Sequence, residues 1–221
     1  MHTLFVDVDG TLIDSFPGIR ASFLHALSEL EWPTPPEDVI AKIPGPPMEE
    51  SMRALGMSDA QALDGLRRYL KHYGALGYAM SSPYPGMHQF LAACKERGFQ
   101  LCTATSKGEQ FARQALTQHG YLEFFDFIGA AEEDGTRRSK AAVIQHVLTS
   151  MQLEEHTDSI LMIGDRVHDV EGASQFGIDT VLVDWGYGTE EERNLARFRA
   201  HDATELENIV NEWSSHLPHG R

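Results

Sequence analysis

Hydrophobic and polar positions follow two rhythms along this chain, and the change between them divides it. From residue 17 to about 80 the apolar residues recur at helical spacing. Ile19, Phe23, Leu27 and Leu30 share one helix face, and Pro33 ends that run. "TPPE" at 34–37 offers Thr34 as an N-cap, Pro35 at the first helical position and Glu37 to complete a capping box. "PGPPMEES" at 44–51 reads as a turn-rich loop leading into another helix. "SDAQ" at 58–61 predicts a second capping box ahead of "LDGLRRYLKHYGAL". After "SSPYPG" at 81–86, helical patterns at 87–98, 109–120, 140–151, 170–177 and 203–213 alternate with short apolar runs. Those runs are "FQLCTAT", "FDFIGA", "SILMIGD" and "DTVLVDWG". Strand–helix alternation with apolar strands predicts an α/β fold, a parallel sheet covered on both faces. A further strand at 3–8 stands apart, before the helical stretch. The expected organisation is a core of residues 1–15 and 82–221, with an all-helical domain, residues 16–81, inserted into it.

Composition narrows the setting. Hydrophobic residues make up 42% of the 221, enough for a substantial core. No apolar run approaches the roughly 20 residues that span a bilayer, and "MHTLFVDVDG" lacks a secretory leader pattern. The formal net charge of −15 disfavours nucleic-acid polymers and anionic membranes as partners. The basic run "RRYLKHY" at 67–73, and the acids Asp184 and Glu190 to Glu192, read as solvated faces. Two cysteines, Cys94 on a helix and Cys102 on a strand, read as reduced core thiols of a cytoplasmic protein.

Candidate chemistry gathers where the strands end. Open parallel sheets bind ligands beyond the carboxyl ends of their strands. "LFVDVDGTLIDS" runs three apolar residues into Asp7, with Asp9 two positions later. In an extended strand i and i+2 point the same way, so both acids can face one ligand. "FQLCTAT" ends at Thr105, followed by Ser106; "SILMIGD" ends at Asp165, with Asp169 four residues on; Lys140 opens a helix after "GTRRS". Singly, each has a plain explanation. Ser106 with Glu109 makes a capping box, Asp169 can be an N-cap, and Lys140 can be a surface lysine. However, a lysine in a first helical turn sits at the unfavourable end of the helix dipole. Four carboxylates against one lysine leave a net negative charge that calls for a cation, and hard oxygen ligands suit Mg²⁺. Thr105, Ser106 and the helix start behind them offer hydroxyl and N–H donors to a phosphate.

"DVDGTLIDS", "TATSK", Lys140 and "GDRVHD" resemble, in order, the four motifs of the haloacid dehalogenase-like phosphatases. "IPGPPMEESM", "YPGMHQFL", "MIGDRVHDVEGA" and "WGYGTEEE" resemble its phosphoglycolate phosphatase-like branch. The resemblance implies a Rossmann-like core with the insert as a helical cap domain. It implies a Mg²⁺-dependent phosphomonoesterase acting on a small phosphorylated metabolite, either phosphoglycolate-like or a 5′-nucleotide. Asp7 would be the nucleophile and form an aspartyl-phosphate, and Asp9 the general acid and base. Lys140 would neutralise Asp7 and the phosphoryl oxygens, while Thr105, Ser106 and Gly10 would hold the phosphate. Mg²⁺ would be bound by Asp7, the Asp9 carbonyl and Asp165, with Asp169 behind them. His168 is expected to be structural and Arg166 to sit at the rim or pair with an acid. Three alternatives remain. A sugar phosphomutase tends to carry an arginine where this chain has Met48. A phosphonoacetaldehyde hydrolase-like enzyme would need a cap lysine, for which Lys42 and Lys71 are available. A non-catalytic binding module could dispense with Asp9.

Overall fold

The computed structural model describes residues 1–132 and 135–216. The chain opens with β1 (Thr3–Val6) and β2 (Ile13–Asp14). Helices α1 (Phe16–Glu29), α2 (Glu37–Ile40), α3 (Met48–Ala54) and α4 (Asp59–Ala75) follow without an intervening strand. Then come β3 (Ser82–Pro83), α5 (Met87–Glu96), β4 (Gln100–Gly108), α6 (Glu109–Gln118) and β5 (Phe127–Ala131). The remainder is α7 (Lys140–Met151), β6 (Ile160–Gly164), α8 (Val167–Ser174) and β7 (Asp179–Val183). It closes with α9 (Glu190–Arg193), β8 (Phe198–Ala200) and α10 (Ala203–His216).

Six strands form one parallel sheet in the order β5-β4-β1-β6-β7-β8. β1 is therefore central, with Phe5 beside Cys102 on one flank and Met162 on the other. Leu4 and Val6 join an apolar cluster with α5, α6 and α10, and Phe5 joins a second cluster with α7 and α8. Both faces of β1 are thus covered, which is why its apolar run does not alternate with polar residues. Each fully buried side chain of this size contributes about 1.5–3 kcal/mol. Cys94 and Cys102 are unpaired, and burial pushes both thiols up to about 12.

The helices between β2 and β3 have a core of their own. Ile19, Phe23 and Leu27 from α1, Met52 from α3, and Tyr69 and Tyr73 from α4 pack together, and Phe111 of α6 joins them from the sheet side. The chain leaves and re-enters the sheet layer at one place. Ile13 pairs with Pro83, and Asp14 with Ser82, in a short antiparallel ladder.

Several local expectations change. The capping box at Ser58 forms, with Ser58 and Gln61 bonding each other's backbone. The one at Thr34 does not. α2 begins at Glu37 behind an extended Pro36, because a residue preceding proline is driven out of the helical region and Pro35 cannot start the helix. Ser106 does not cap α6. β4 continues past it to Gly108, which takes the N-cap position without a side-chain cap. Asp169 sits at the third position of α8 rather than at its cap. The ladder of β1 stops at Val6, so strand alternation does not place Asp9; its backbone instead bridges Ile13 within the turn. β2, β3 and β8 are strands beyond those the sequence pattern predicts.

Candidate active site

The site is built outward from the carboxyl end of β1. Asp7 donates its backbone N–H to the Ile163 carbonyl at 2.9 Å, which anchors it beside β6. Its Oδ1 accepts from the Val8 N–H at 2.8 Å. Lys140 approaches from the first position of α7, behind the Ser139 cap. Its buried ammonium lies 3.0 Å from Asp7 Oδ1, 2.7 Å from Asp169 Oδ1 and 2.8 Å from the Ala104 carbonyl. The ammonium donates to the Ala104 carbonyl and forms ion pairs with two carboxylates, which offset the cost of a cation at this helix end. Asp169 Oδ2 accepts from the N–H groups of Asp165 and Arg166, both at 3.0 Å. Asp169 thereby fixes the turn carrying Asp165 and holds Lys140 as well. Asp165 Oδ2 accepts from the Tyr187 N–H at 2.7 Å. Glycines make the close approaches possible: a Cβ at Gly10, where φ is +80°, would lie 2.1 Å from Asp165 Oδ2, and one at Gly186 would lie 2.3 Å from the Asp165 Cβ.

Burial dominates the electrostatics. It raises the Asp7 carboxyl to about 6, with Lys140 and the Thr105 hydrogen bond pulling down and Asp169 pushing up. Asp165 is also raised, by burial first and then by Asp169 and Asp7. For Lys140, burial disfavours the ammonium, but Asp169 and Asp7 outweigh it and hold the group above the ordinary lysine range. Ligand oxygens of Asp7, Asp165 and Asp169 lie within 4.8 Å of one another, and all three residues are buried. Asp165 Oδ1 is buried with no hydrogen-bond partner among the described residues. A buried, all-oxygen, net-negative cluster with an orphaned acceptor fits a divalent cation. Asp169 has its oxygens committed to Lys140 and two N–H groups, so Asp7 and Asp165 are the better-placed direct ligands.

Asp9 turns away from that cluster. Both its oxygens accept from Lys107 Nζ, at 3.0 and 2.9 Å, and the same ammonium donates to the Tyr73 hydroxyl at 2.7 Å. Neither Lys107 nor Tyr73 is among the site residues expected from the sequence. The β4–β5 register slips between Thr105 and Gly108, and this bulge carries Lys107. Bulges re-aim side chains in this way next to functional sites.

Asp7, Asp9, Thr105, Ser106, Lys140, Asp165 and Asp169 all line one cavity of about 130 Å³ between the sheet ends and the inserted helices. Gly10 does not line it. Its N–H is bonded to the Ile13 carbonyl at 2.9 Å, and its place against Asp165 is the feature that requires glycine. Arg166 is both at the rim and ion-paired, with Glu192 at 3.0 Å and the Pro44 carbonyl as its other acceptor. Arg138 reaches Glu49 of α3. Lys107 and Arg138 therefore extend from the sheet side to the inserted helices, and Arg166 to the loop between α2 and α3. His168 has a side chain 42% exposed that lines the cavity and lies 3.9 Å from Glu171. Lys42 and Lys71 are exposed, and neither lines the cavity.

The family model for haloacid dehalogenase-like hydrolases matches residues 4–183, and the chain belongs to this family. Tyrosine-protein kinase PtkA of Mycobacterium tuberculosis is 44% identical over 182 residues, 82% of this chain. That alignment spans 62% of the PtkA length. A 5′-nucleotidase of Pseudomonas aeruginosa is 34% identical over 202 residues, covering 91% of this chain and 88% of that protein. Among solved structures, a haloacid dehalogenase-like family hydrolase from Streptococcus pneumoniae superposes with a TM-score of 0.86 at 28% identity. It covers 95% of this chain and 98% of its own. No helix among the described residues is long and apolar enough to cross a membrane.

Proposed function

We propose that this protein is a Mg²⁺-dependent phosphomonoesterase that hydrolyses a small phosphorylated metabolite, phosphoglycolate-like or a 5′-nucleotide, through an aspartyl-phosphate. The observation that carries the reading is the Lys140 ammonium shared by Asp7 and Asp169 beside an orphaned Asp165 oxygen. Such a site can accept a cation and a phosphate together. Relatives named 5′-nucleotidase and phosphoglycolate phosphatase support the substrate class. Unpaired buried thiols agree with a cytoplasmic setting, and the net charge of −15 argues against a nucleic-acid polymer as partner.

Mg²⁺ bound by Asp7, the Asp9 carbonyl and Asp165, with Asp169 behind, would neutralise charge on the phosphoryl oxygens. Asp7 attacks phosphorus as the bond to the leaving oxygen breaks, and Lys140 balances the charge of the carboxylate and the phosphoryl group. Thr105 and Ser106 hold the phosphoryl oxygens. Asp9 gives its proton to the leaving oxygen, then takes one from the water that cleaves the aspartyl-phosphate and restores Asp7. Residues 16–81 act as a cap over this chemistry, and the core comprises residues 1–15 and 82–221. The test is turnover of 4-nitrophenyl phosphate with and without Mg²⁺, followed by a panel of metabolite phosphates. Asp7→Asn should abolish turnover while the fold persists. Retained turnover would refute the nucleophile assignment.

A second reading has one specific support, the 44% identity to a protein named a tyrosine-protein kinase. It would keep the attack by Asp7 and let a tyrosine hydroxyl replace water as the acceptor. With γ-labelled ATP and a tyrosine peptide, label in the peptide would favour transfer, and label in free phosphate would favour hydrolysis. The exposed positions of Lys42 and Lys71, away from the cavity, argue against the phosphonoacetaldehyde hydrolase alternative.

A further inference from the structure

Of the four acids at the strand ends, Asp9 alone lies outside the Asp7, Asp165 and Asp169 group. One buried ammonium grips both of its oxygens, and that ammonium's third contact lies on the inserted helices. Lys107 is only 5% exposed at its side chain. Burial disfavours its charge, yet Asp9 and Tyr73 outweigh that cost and keep it protonated. Bonds from one nitrogen to both oxygens fix the direction in which the carboxylate faces, not merely its distance. Tyr73 is placed just as firmly. It stacks on Tyr69, with centroids 5.5 Å apart and planes 15° apart, and Phe111 meets its ring edge-on at 5.1 Å. The hydroxyl that reaches Lys107 is therefore aimed by the packing of the insert. Buried ion pairs add little net stability, because desolvation cancels most of their attraction. Apolar residues of similar volume often serve a fold as well as a buried ion pair does. What such residues would lack is control over where Asp9 points.

We propose that Lys107 and Tyr73 are positioning residues for Asp9, through which the seating of the helical insert sets the aim of the acid–base carboxylate. The inference rests on the acid–base role proposed for Asp9. Its consequence is that proton delivery to a poor leaving group depends on the insert being seated, because Lys107 loses its outer anchor when Tyr73 moves away. A leaving group that departs without a proton is indifferent to this arrangement.

The experiment compares kcat and KM for an alkyl phosphate and for 4-nitrophenyl phosphate, in Mg²⁺, for the wild type, Asp9→Asn, Lys107→Met, Lys107→Arg and Tyr73→Phe. Asp9→Asn should lose far more kcat on the alkyl ester than on the aryl ester. Lys107→Met should repeat that selectivity, with an extra alkyl-ester loss of about 10–100-fold, the scale of a misplaced catalytic group. Its KM should stay nearly unchanged, and Lys107→Arg should restore part of the loss. Tyr73→Phe keeps both ring contacts and removes only the oxygen, so it should show the same selectivity at reduced size. It also carries the test if Lys107→Met fails to fold. Equal losses on both esters in Lys107→Met and Tyr73→Phe, or a loss confined to KM, would overturn the inference and make Lys107 a structural or phosphate-binding residue. If Asp9→Asn itself shows no leaving-group selectivity, the acid–base reading falls, and this inference falls with it.

Discussion

Tyr187 holds Asp165 through its backbone and the start of the insert through its side chain. Its N–H donates to Asp165 Oδ2 at 2.7 Å, and its hydroxyl donates to Asp14 Oδ1 at 3.0 Å. The same hydroxyl oxygen accepts from the N–H groups of Ser15 and Phe16, at 2.8 and 3.1 Å. Tyr187→Phe would leave the Ser15 N–H unsatisfied at the entrance to α1, while the Phe16 N–H keeps its bond to Asp14 Oδ1 at 3.0 Å. An orphaned buried donor costs about 1–3 kcal/mol. The variant should therefore lower Tm measurably, while Mg²⁺ affinity stays near wild type because the bond to Asp165 comes from the backbone. Thermal melts and a Mg²⁺ titration check the two halves separately.

Without metal, stability should fall as pH rises through the range that brackets Asp7. Its folded-state carboxyl lies near 6 against an ordinary 3.8, chiefly because it is buried. The folded state then binds the proton more tightly than the unfolded chain does. That contribution is present below about 4 and is lost as pH climbs to about 6, with each pKa unit worth about 1.36 kcal/mol. Asp165 is raised in the same direction and steepens the slope. Asp7→Asn should flatten part of the fall and be more stable than the wild type at pH 7–8. Urea denaturation of metal-free protein across pH 4–8 measures this, and a wild-type curve that rises with pH over that window would contradict it.

The acids at the strand ends were legible because apolar runs stop abruptly at Asp7 and Asp165, and Lys140 was legible because its helix-dipole position is wrong for a surface lysine. Lys107 was harder to find. It adjoins Thr105 in sequence, but only a slip in β4–β5 pairing turns it toward Asp9, and no pattern of residue types encodes that slip. Tyr73 is 34 residues away from Lys107, and their contact exists only once the insert packs down. β8 escaped notice because Phe198–Ala200 is three residues long and has a charged centre. Arg199 is held there by Asp184 and Glu190 from neighbouring segments. Thr34 misled because a correct capping pattern was overruled by the proline pair that follows it.

Mg²⁺ should raise the melting temperature of the wild type, because the ligand oxygens converge only in the folded state. At a hundred times the dissociation constant, such linkage is worth about 2.7 kcal/mol. Asp165→Ala removes the carboxylate that carries the orphaned oxygen and should abolish most of the increase. Asp169→Asn should act differently. It weakens the hold on Lys140 and on the Asp165 and Arg166 N–H groups, so it should lower Tm even without Mg²⁺. Calorimetry of both variants with and without Mg²⁺ separates a direct ligand from a supporting residue. An Asp165→Ala protein whose melting point still rises as the wild type's does would move the cation elsewhere.

The insert can be removed with little disturbance to the backbone, because its two ends meet. Asp14 and Ser82 are ladder partners, so a short turn can join the chain across them once residues 16–81 are gone. Removal exposes Phe111, which packs with the insert, so Phe111→Ser belongs in the same protein. It also removes Tyr73, Glu49 and Pro44, the partners through which Lys107, Arg138 and Arg166 reach the insert. Hydrolysis of 4-nitrophenyl phosphate should survive in part, since Asp7, Lys140, Asp165 and Asp169 all lie on the retained elements. Discrimination among metabolite phosphates should collapse if the insert selects the leaving group as proposed, because that wall and the Tyr73 contact to Lys107 are both gone. The measurement is the ratio of kcat/KM between the best metabolite and the aryl ester, in a truncated protein shown by circular dichroism to be folded. A drop in that ratio of about tenfold or more is expected, since a misplaced catalytic group alone can cost about 100-fold. An unchanged ratio would place specificity in the sheet-side residues and leave the helical insert without the selecting role.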